Sequence, residues 1–240
     1  MDVRCAEDVI TLRPRGILFD MDGVLVSSIG SVERTWGKWA LARGIDPDLA
    51  IRTAHGRRAI ETVRQLRPDL NDMQELEWLE EMEIADNVGL EMLSGVKPIL
   101  EALPEKYWTV VTSATDRLAR SRMRHGGVPV PARIVSADMV ENGKPHPEPY
   151  CRGAELLGAS PADCLVIEDS ASGAMAGRAA GCKVLATIFS HAPESLTHAD
   201  WIVRSLEDVS VRLVGDRLEV RFAPLAESAA RETIAAAERQ

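Results

Sequence analysis

The chain has 240 residues and a formal net charge of −9, and 45% of its residues are apolar and 27% are charged. This length can bury one sizeable core, or a core and a small inserted domain. The acidic balance argues against a nucleic-acid partner, because clustered Lys and Arg bind phosphate backbones. The apolar runs are too short to span a membrane and the first ten residues lack a secretion signal, so we expect a cytoplasmic protein.

The first predicted strand ends in two aspartates. Residues 17–19 are apolar, Asp20 closes the run, and Asp22 and Gly23 come directly afterwards. A continuous apolar run is typical of a strand that is buried on both faces of a parallel sheet. Asp-Met-Asp-Gly is also a turn signal, in which Gly23 takes a positive φ and Asp caps the next segment. We expect the chain to bend at Asp22 and Gly23, which would aim the second acid towards the first.

Residues 31–91 contain no predicted strand. Their pattern predicts helices over 31–43, 56–67 and 72–90. The last of these helices begins with Asp72 as its N-cap and carries Glu75 three residues later, which is a typical helix start. This part of the chain is therefore predicted to be all helical.

Small, flexible residues border this helical stretch, at 27–31 and again at 93–98. Such borders suit a hinge of two chain segments, on which an inserted domain can move over the ends of the strands. We therefore predict a helical cap domain at residues 29–92. Residues 1–28 and 93–240 would together form a discontinuous catalytic core.

Strands alternate with helices beyond the predicted cap. The predicted strands are 107–113, 132–137, 164–169 and 182–188, and the helices between them are 115–125, 147–157 and 171–180. This alternation predicts an α/β fold with a doubly wound parallel sheet that includes the first strand. Residues 211–222 are predicted to form a hairpin around Gly215 and Asp216, and residues 224–240 a helix or a frayed end.

Polar residues follow several of these strands and are expected to share one edge of the sheet. The strand ends carry Asp20 and Asp22, then Thr112 and Ser113, then Glu168 and Asp169, and Lys144 lies in a loop between two of the strands. Open parallel sheets bind ligands at the carboxyl ends of their strands. We therefore expect four acids, two hydroxyls and one ammonium group to meet at one site.

This set of groups suits a divalent cation and a phosphate. Asp20 and Asp169 offer the oxygen ligands that Mg²⁺ prefers. Lys144 can offset the surplus negative charge and hold a phosphate oxygen, and the hydroxyls can hold another. A carboxylate beside Mg²⁺ can attack phosphorus, while an acid two residues later protonates the leaving oxygen and then activates water. The predicted chemistry is phosphoryl transfer.

Four motifs, in order along the chain, resemble those of the haloacid dehalogenase superfamily. They are Asp20-Met21-Asp22-Gly23-Val24-Leu25, Thr112-Ser113, Lys144-Pro145 and Glu168-Asp169-Ser170. The resemblance implies a Rossmann-like core, a helical cap inserted after the first motif, and Mg²⁺-dependent phosphatase chemistry. It implies Asp20 as nucleophile, Asp22 as general acid and base with its carbonyl on the metal, Thr112 and Ser113 on the phosphate, Lys144 as the charge clamp, and Glu168 and Asp169 on the metal side.

Longer stretches resemble one branch of this superfamily, the glycerol-3-phosphatases and 2-deoxyglucose-6-phosphate phosphatases. They are residues 53–69, 143–150, 168–184 and 201–213. The resemblance implies a small phosphorylated sugar or polyol as substrate, and His55, Gly56 and Arg58 as cap residues that bind it. A helix start with solvated arginines is the alternative interpretation of this cap stretch. The residues do not determine an oligomeric state.

Three other activities are less consistent with the residues. The β-phosphoglucomutases usually carry an Asp and a His soon after the first motif, where this chain has Ser27 and Val32. The dehalogenase branch lacks the second aspartate, which is present here as Asp22. A non-catalytic sugar-phosphate sensor would tolerate the loss of Asp20 or Asp22, but both aspartates are present in this chain. The sequence therefore predicts a Mg²⁺-dependent phosphatase that acts on small sugar or polyol monophosphates through an aspartyl phosphate.

Overall fold

The computed structural model describes residues 9–225, so the predicted terminal segment at 224–240 lies almost entirely outside it. The strands are β1 (Ile10–Leu12), β2 (Gly16–Phe19), β3 (Val26–Ser27), β4 (Glu91–Met92), β5 (Trp108–Val110), β6 (Cys164–Glu168), β7 (Lys183–Thr187), β8 (Trp201–Val203), β9 (Val209–Val214) and β10 (Arg217–Phe222). The helices are α1 (Ile29–Arg43), α2 (Pro47–Ala54), α3 (Ala59–Leu66), α4 (Asp72–Ala85), α5 (Val96–Ala102), α6 (Asp116–His125), α7 (Glu148–Leu156) and α8 (Ala171–Ala179). Within the described range, no helix has the length and apolar character needed to cross a membrane.

A five-stranded parallel sheet in the order β5-β2-β6-β7-β8 forms the centre of the fold. Alternate residues of β2 point to opposite faces, so Ile17 and Phe19 belong to one apolar cluster and Leu18 to another. Because β2 is completely buried, both faces of the sheet are covered. The predicted α/β fold with a doubly wound parallel sheet is confirmed.

The predicted strand over 132–137 is wrong. Only one parallel bridge forms there, between Val111 and Val135. The segment would be an edge strand beyond β5, and Pro129 and Pro131 directly before it lack the N–H donors that extend a ladder. The predicted hairpin at 211–222 is confirmed, because β9 and β10 pair in antiparallel fashion and β1 extends this second sheet.

Helices α1 to α4 enclose an apolar cluster of their own, around Trp36, Trp39 and Leu79. The sequence prediction missed α2, although Asp46 and Pro47 mark its start and the Asp46 side chain accepts the Asp48 N–H. The predicted cap residue of α4 is also wrong. Asn71, rather than Asp72, accepts the N–H of Gln74.

The connections between these helices and the sheet include a short antiparallel ladder. Helix α4 ends at Ala85 rather than at 90, and the chain then forms β4, in which Met92 pairs with Val26 of β3. Strand β3 overlaps the first predicted border only at Ser27, and β4 lies just before the second border. This pair of strands holds the two connecting segments side by side. The division of the chain at residues 29 and 92 stays a prediction.

Candidate active site

Asp20 lies directly after β2, and the chain turns immediately beyond it. The Met21 carbonyl accepts hydrogen bonds from the N–H groups of Leu25 and Val26. Gly23 has a φ of +82°, which favours glycine. A Cβ atom at Gly23 would overlap the Asp169 carboxylate. The expected bend at Asp22 and Gly23 is therefore present, and it allows the backbone to approach the acid that follows β6.

Lys144 joins two of the predicted acids. Its Nζ donates to Asp20 Oδ1 at 2.5 Å, to Glu168 Oε1 at 2.8 Å and to the carbonyl oxygen of Val111 at 3.0 Å. The side chain is only 2% exposed. All three ammonium donors thus have partners, and the ends of two neighbouring strands and the segment after β5 meet at this one group.

Glu168 is completely buried and its carboxylate accepts several hydrogen bonds. Oε1 accepts from Lys144 and from the Tyr150 hydroxyl at 2.8 Å. Oε2 accepts the N–H groups of Asp169 and Ser170, each at 3.0 Å, and the Ser170 hydroxyl at 2.9 Å. Glu168 therefore fixes both Lys144 and the first residues after β6. The sequence offered no signal for the contribution of Tyr150.

The carboxylates outnumber the ammonium group that they surround. Burial raises the pKa of Asp20, Lys144 partly opposes this shift, and the charges of Glu168 and Asp22 add to it, so that the pKa is about 7. Burial and the charges of Glu168 and Asp20 raise the pKa of Asp169 well above its ordinary value. Burial also opposes ionisation of Glu168, but Lys144 and the hydrogen bonds to its carboxylate lower its pKa.

The excess of negative charge makes this cluster a candidate metal site. Asp20, Glu168 and Asp169 each offer a carboxylate oxygen, and these oxygens lie within 4.8 Å of one another. A cation among them would favour the ionised form of Asp20 and Asp169, which burial otherwise opposes. The acidic cluster can therefore bind a metal ion.

Asp22 is held by two side chains that the sequence interpretation missed. The Ser28 hydroxyl donates to Oδ1 at 2.6 Å, and Arg122 of α6 donates to Oδ2 at 2.9 Å. Arg122 also forms an ion pair with Glu83 of α4 at 3.3 Å. No local motif distinguishes Arg122 from the other basic residues of α6, and only the packing of α4 against α6 identifies it.

Thr112 and Ser113 follow β5, as predicted, and precede α6. The Thr112 side chain is buried, and its Oγ1 accepts the N–H of Ala114 at 3.1 Å. The Ser113 hydroxyl lies 3.5 Å from the carbonyl oxygen of Gly56, to which it donates. Thr115 caps α6 by accepting the N–H of Leu118. The hydroxyls therefore lie beside the amino end of a helix, which favours an anion.

The three predicted substrate-binding residues of the cap lie in different environments. Gly56 has a φ of +71°, and its carbonyl accepts the Ser172 hydroxyl at 3.0 Å. Nε2 of His55 is buried and has no hydrogen-bond partner within residues 9–225. Burial and neighbouring His191 lower the pKa of His55.

Arg58 contacts the core rather than extending freely into the cavity. Its guanidinium donates to Glu61 at 2.6 Å, to the Val140 carbonyl at 3.1 Å and to the Glu141 carbonyl at 3.0 Å. These carbonyls belong to the loop that leads to Lys144. Arg58 therefore joins the cap helices to this loop, a contact that the sequence pattern did not indicate.

One cavity of about 300 Å³ brings most of these residues together. It is lined by Asp20, Asp22, Thr112, Ser113, Lys144 and Asp169 from the sheet side and by His55, Gly56 and Arg58 from the cap side. Glu168 is the one predicted site residue that does not line it, because its carboxylate is turned towards Lys144 and the backbone. The cavity thus lies between the strand ends and the helical insertion.

Residues 14–181 match the model of the haloacid dehalogenase-like hydrolase family. The chain belongs to this family. It is 36% identical over 205 residues to hexitol phosphatase A of Escherichia coli, covering 83% of this chain and 95% of that protein. It is 32% identical over 220 residues to 2-deoxyglucose-6-phosphate phosphatase 1 of Saccharomyces cerevisiae, covering 81% and 89%.

A solved structure shows the same fold. CbbY from Rhodobacter sphaeroides, in complex with phosphate, superposes with a TM-score of 0.71 at 20% identity, covering 80% of this chain and 95% of that one. The resemblance drawn from the four sequence motifs is therefore confirmed at the level of the family, and the α/β fold is shared across low sequence identity.

Proposed function

We propose that this hydrolase cleaves small sugar or polyol monophosphates through an aspartyl phosphate on Asp20. The observation that carries the proposal is the meeting of Asp20, Asp22, Thr112 and Lys144 in one cavity, although they come from three separate parts of the chain. The chain is a phosphoric monoester hydrolase by its family and its named relatives. The roles of its residues below follow from their chemistry and contacts.

The residues present fit Mg²⁺. Oxygen donors on Asp20 and Asp169 would hold the ion beside the carbonyl of Asp22, and Glu168 would add charge while it orients Lys144. When bound, the ion supplies positive charge that stabilises the phosphate oxygens during phosphoryl transfer. Gly23, with no side chain, leaves the Asp169 carboxylate room at this position.

In the first step, a carboxylate oxygen of Asp20 attacks phosphorus and the bond from phosphorus to the alcohol oxygen breaks. Lys144 donates to Oδ1 of Asp20 and offsets the negative charge of the carboxylate during this step. Asp22 transfers its proton to the alcohol oxygen, so a neutral alcohol leaves. Thr112, Ser113 and the amino end of α6 stabilise the phosphate oxygens.

In the second step, water attacks the phosphorus of the aspartyl phosphate. Asp22, now ionised, accepts the proton of that water, the acyl–phosphate bond breaks, and Asp20 is restored together with inorganic phosphate. The hydrogen bonds from Ser28 and Arg122 fix the orientation of the Asp22 carboxylate between the two steps. Both steps use the same residue, first as acid and then as base.

The substrate class follows from the relatives and from the size of the cavity. Relatives that cover most of this chain are named for hexitol, glycerol and 2-deoxyglucose phosphates, and a cavity of about 300 Å³ is of a size that small ligands fill. A mutase must retain a second hydroxyl and exclude water. Ser27 and Val32 stand where mutases carry the acid and the imidazole, which favours hydrolysis.

Phosphate release from purified protein tests the proposal. A panel of hexitol, hexose and glycerol monophosphates should release inorganic phosphate with Mg²⁺ present and should not do so after EDTA treatment. Asp20→Asn should abolish turnover, because an amide cannot form the phosphoenzyme, whereas Asp216→Asn in the β9–β10 turn should retain it. Absence of release from every ester, or normal turnover of Asp20→Asn, contradicts the proposal.

A further inference from the structure

The two halves of the cavity differ in polarity. The strand ends contribute carboxylates, hydroxyls and an ammonium group. The helices of the cap contribute Glu80 and Glu83 and a larger apolar set that includes Val32, Trp36, Ile60, Leu76 and Leu79. These five side chains come from α1, α3 and α4, and we call them the apolar roof. A ligand that places its phosphate among the strand-end groups therefore presents its opposite end to the roof.

The charged cap residues beside the roof already have partners. Arg58 donates to Glu61 and to two carbonyls of the core loop. Glu80 accepts the Thr115 hydroxyl and pairs with Arg117 at 3.1 Å. Glu83 pairs with Arg122. These contacts join the cap to the core, so a ligand could use these groups only by breaking them.

Few hydrogen-bonding groups remain on the cap side for a ligand. Nη1 of Arg57 donates to Gln65 at 2.8 Å, which leaves the other guanidinium donors of Arg57 for a ligand. The carbonyl of Gly56 accepts the hydroxyls of Ser113 and Ser172. His55 Nε2 is buried and has no partner among the described residues, and Trp36 of the roof carries one indole N–H donor. The four aliphatic side chains of the roof, Val32, Ile60, Leu76 and Leu79, therefore provide contact area and no hydrogen bond.

A sugar hydroxyl that meets these four side chains loses its hydrogen bonds to water and gains none in return. An apolar carbon at the same place instead gains from its removal from water. We propose that the apolar roof selects phosphate monoesters whose alcohol is deoxygenated or apolar at the end far from the phosphate. This inference rests on the proposed function, which places the phosphate at the strand ends. It narrows the class of alcohol that is esterified to that phosphate.

A graded series of esters with one ring size tests the inference. Glucose 6-phosphate, 2-deoxyglucose 6-phosphate and cyclohexylmethyl phosphate carry progressively fewer hydroxyls at the end that would face the roof. With Mg²⁺, kcat/KM should rise in that order, by roughly tenfold to a hundredfold for each step. Equal values, or values that fall along the series, overturn the inference.

A variant of the roof and a matched control test whether the preference for apolar esters arises at the roof. Leu76→Gln places an amide in the roof, and it should reduce the preference for cyclohexylmethyl phosphate over glucose 6-phosphate by about tenfold or more. Leu41→Gln makes the same change on α1 at a side chain that is 71% exposed and does not line the cavity, so the preference should remain. An unchanged preference in Leu76→Gln overturns the inference.

A binding measurement separates this inference from the proposed function. If the wild-type protein releases phosphate from none of the esters, the proposed function fails, whatever the roof selects. Calorimetric titration of Asp20→Asn with each ester, in the presence of Mg²⁺, then measures selection without turnover. Tighter binding of cyclohexylmethyl phosphate than of glucose 6-phosphate supports the inference, whereas equal or weaker binding, or binding of neither ester, overturns it.

Discussion

Arg122 and Asp22 lie 100 positions apart in the chain, and Arg122 donates a hydrogen bond of 2.9 Å to the carboxylate of Asp22. The same guanidinium pairs with Glu83 of the helical insertion. The acid proposed to serve both catalytic steps is therefore held by a residue of the core that also contacts the cap. Any movement of α4 away from α6 would change the charges that surround Asp22.

The first prediction concerns the stability of this buried network. Arg122 is 4% exposed and Glu83 6% exposed. Arg122→Ala should lower the free energy of unfolding by about 3–5 kcal/mol, because it leaves the buried Glu83 without a partner. Urea denaturation followed by circular dichroism measures this change.

Arg117→Ala is the matched control for Arg122→Ala. Arg117 also lies on α6 and pairs with Glu80 and Glu81 of α4, but its side chain is 57% exposed. Exposed ion pairs contribute little, so this change should lower the free energy of unfolding much less than Arg122→Ala does. Equal losses in the two variants would show that the Arg122 network has no special energetic role.

The second prediction concerns Lys144. Lys144→Ala should reduce kcat by about 10²–10³, the range found when one preorganised electrostatic group is removed from an active site. Its ammonium is the shared partner of Asp20 and Glu168. The variant therefore removes a hydrogen bond to the nucleophile and the positive charge that offsets the two carboxylates. Steady-state phosphate release measures the effect.

Lys97→Ala is the control for Lys144→Ala, because Lys97 is 73% exposed and its distance to Glu101 is 3.9 Å. This variant should retain wild-type kcat. A Lys144→Ala protein that is folded by circular dichroism and keeps wild-type kcat would remove Lys144 from the proposed mechanism.

The meeting of the strand-end groups was predictable, because the carboxyl ends of parallel strands meet at one edge whatever their spacing in the chain. Asp20, Lys144 and Asp169 therefore line one cavity, as expected. The partners of Asp22 were not predictable. Which arginine of α6 becomes buried depends on the docking of α4, and no local pattern records that docking.

The cap shows the same distinction between local and distant information. The start of α2 was encoded locally by Asp46 as N-cap and Pro47 in the first turn, so this helix was predictable from two adjacent residues. The Arg58 contacts with the carbonyls of Val140 and Glu141 join residues more than 80 positions apart.

The third prediction concerns pH and metal. The pKa of Asp20 is about 7 in the folded protein, above its ordinary value of 3.8. A group with a raised folded pKa stabilises the fold below its unfolded pKa, and this contribution is lost as pH rises through the folded pKa. In EDTA, the stability of Asp20→Asn relative to wild type should therefore increase from pH 4 to about pH 7 and change little above it.

Denaturation midpoints at several pH values, with and without Mg²⁺, test this dependence. Saturating Mg²⁺ should reduce the pH dependence of the difference, because the ion binds the deprotonated carboxylate of the wild-type protein. A constant difference between the two proteins at every pH in EDTA would contradict the raised pKa of Asp20.

The fourth prediction separates backbone strain from contact between cap and core. Gly56 and Gly44 have similar positive φ angles, +71° and +68°. A Cβ atom at Gly56 would lie 2.8 Å from the Ser172 hydroxyl and 3.1 Å from Ser170, whereas a Cβ atom at Gly44 would meet nothing within 4 Å. Alanine at either position should therefore cost about 1–2 kcal/mol of stability through the left-handed backbone. Only Gly56→Ala should also displace the cap from the loop after β6, which should raise KM and lower kcat/KM at least tenfold.

Kinetics on a substrate found in the phosphate-release panel, together with urea denaturation of both variants, measure the two effects. If both alanine variants keep wild-type kcat/KM, the contact between Gly56 and the serines after β6 does not position the cap for catalysis.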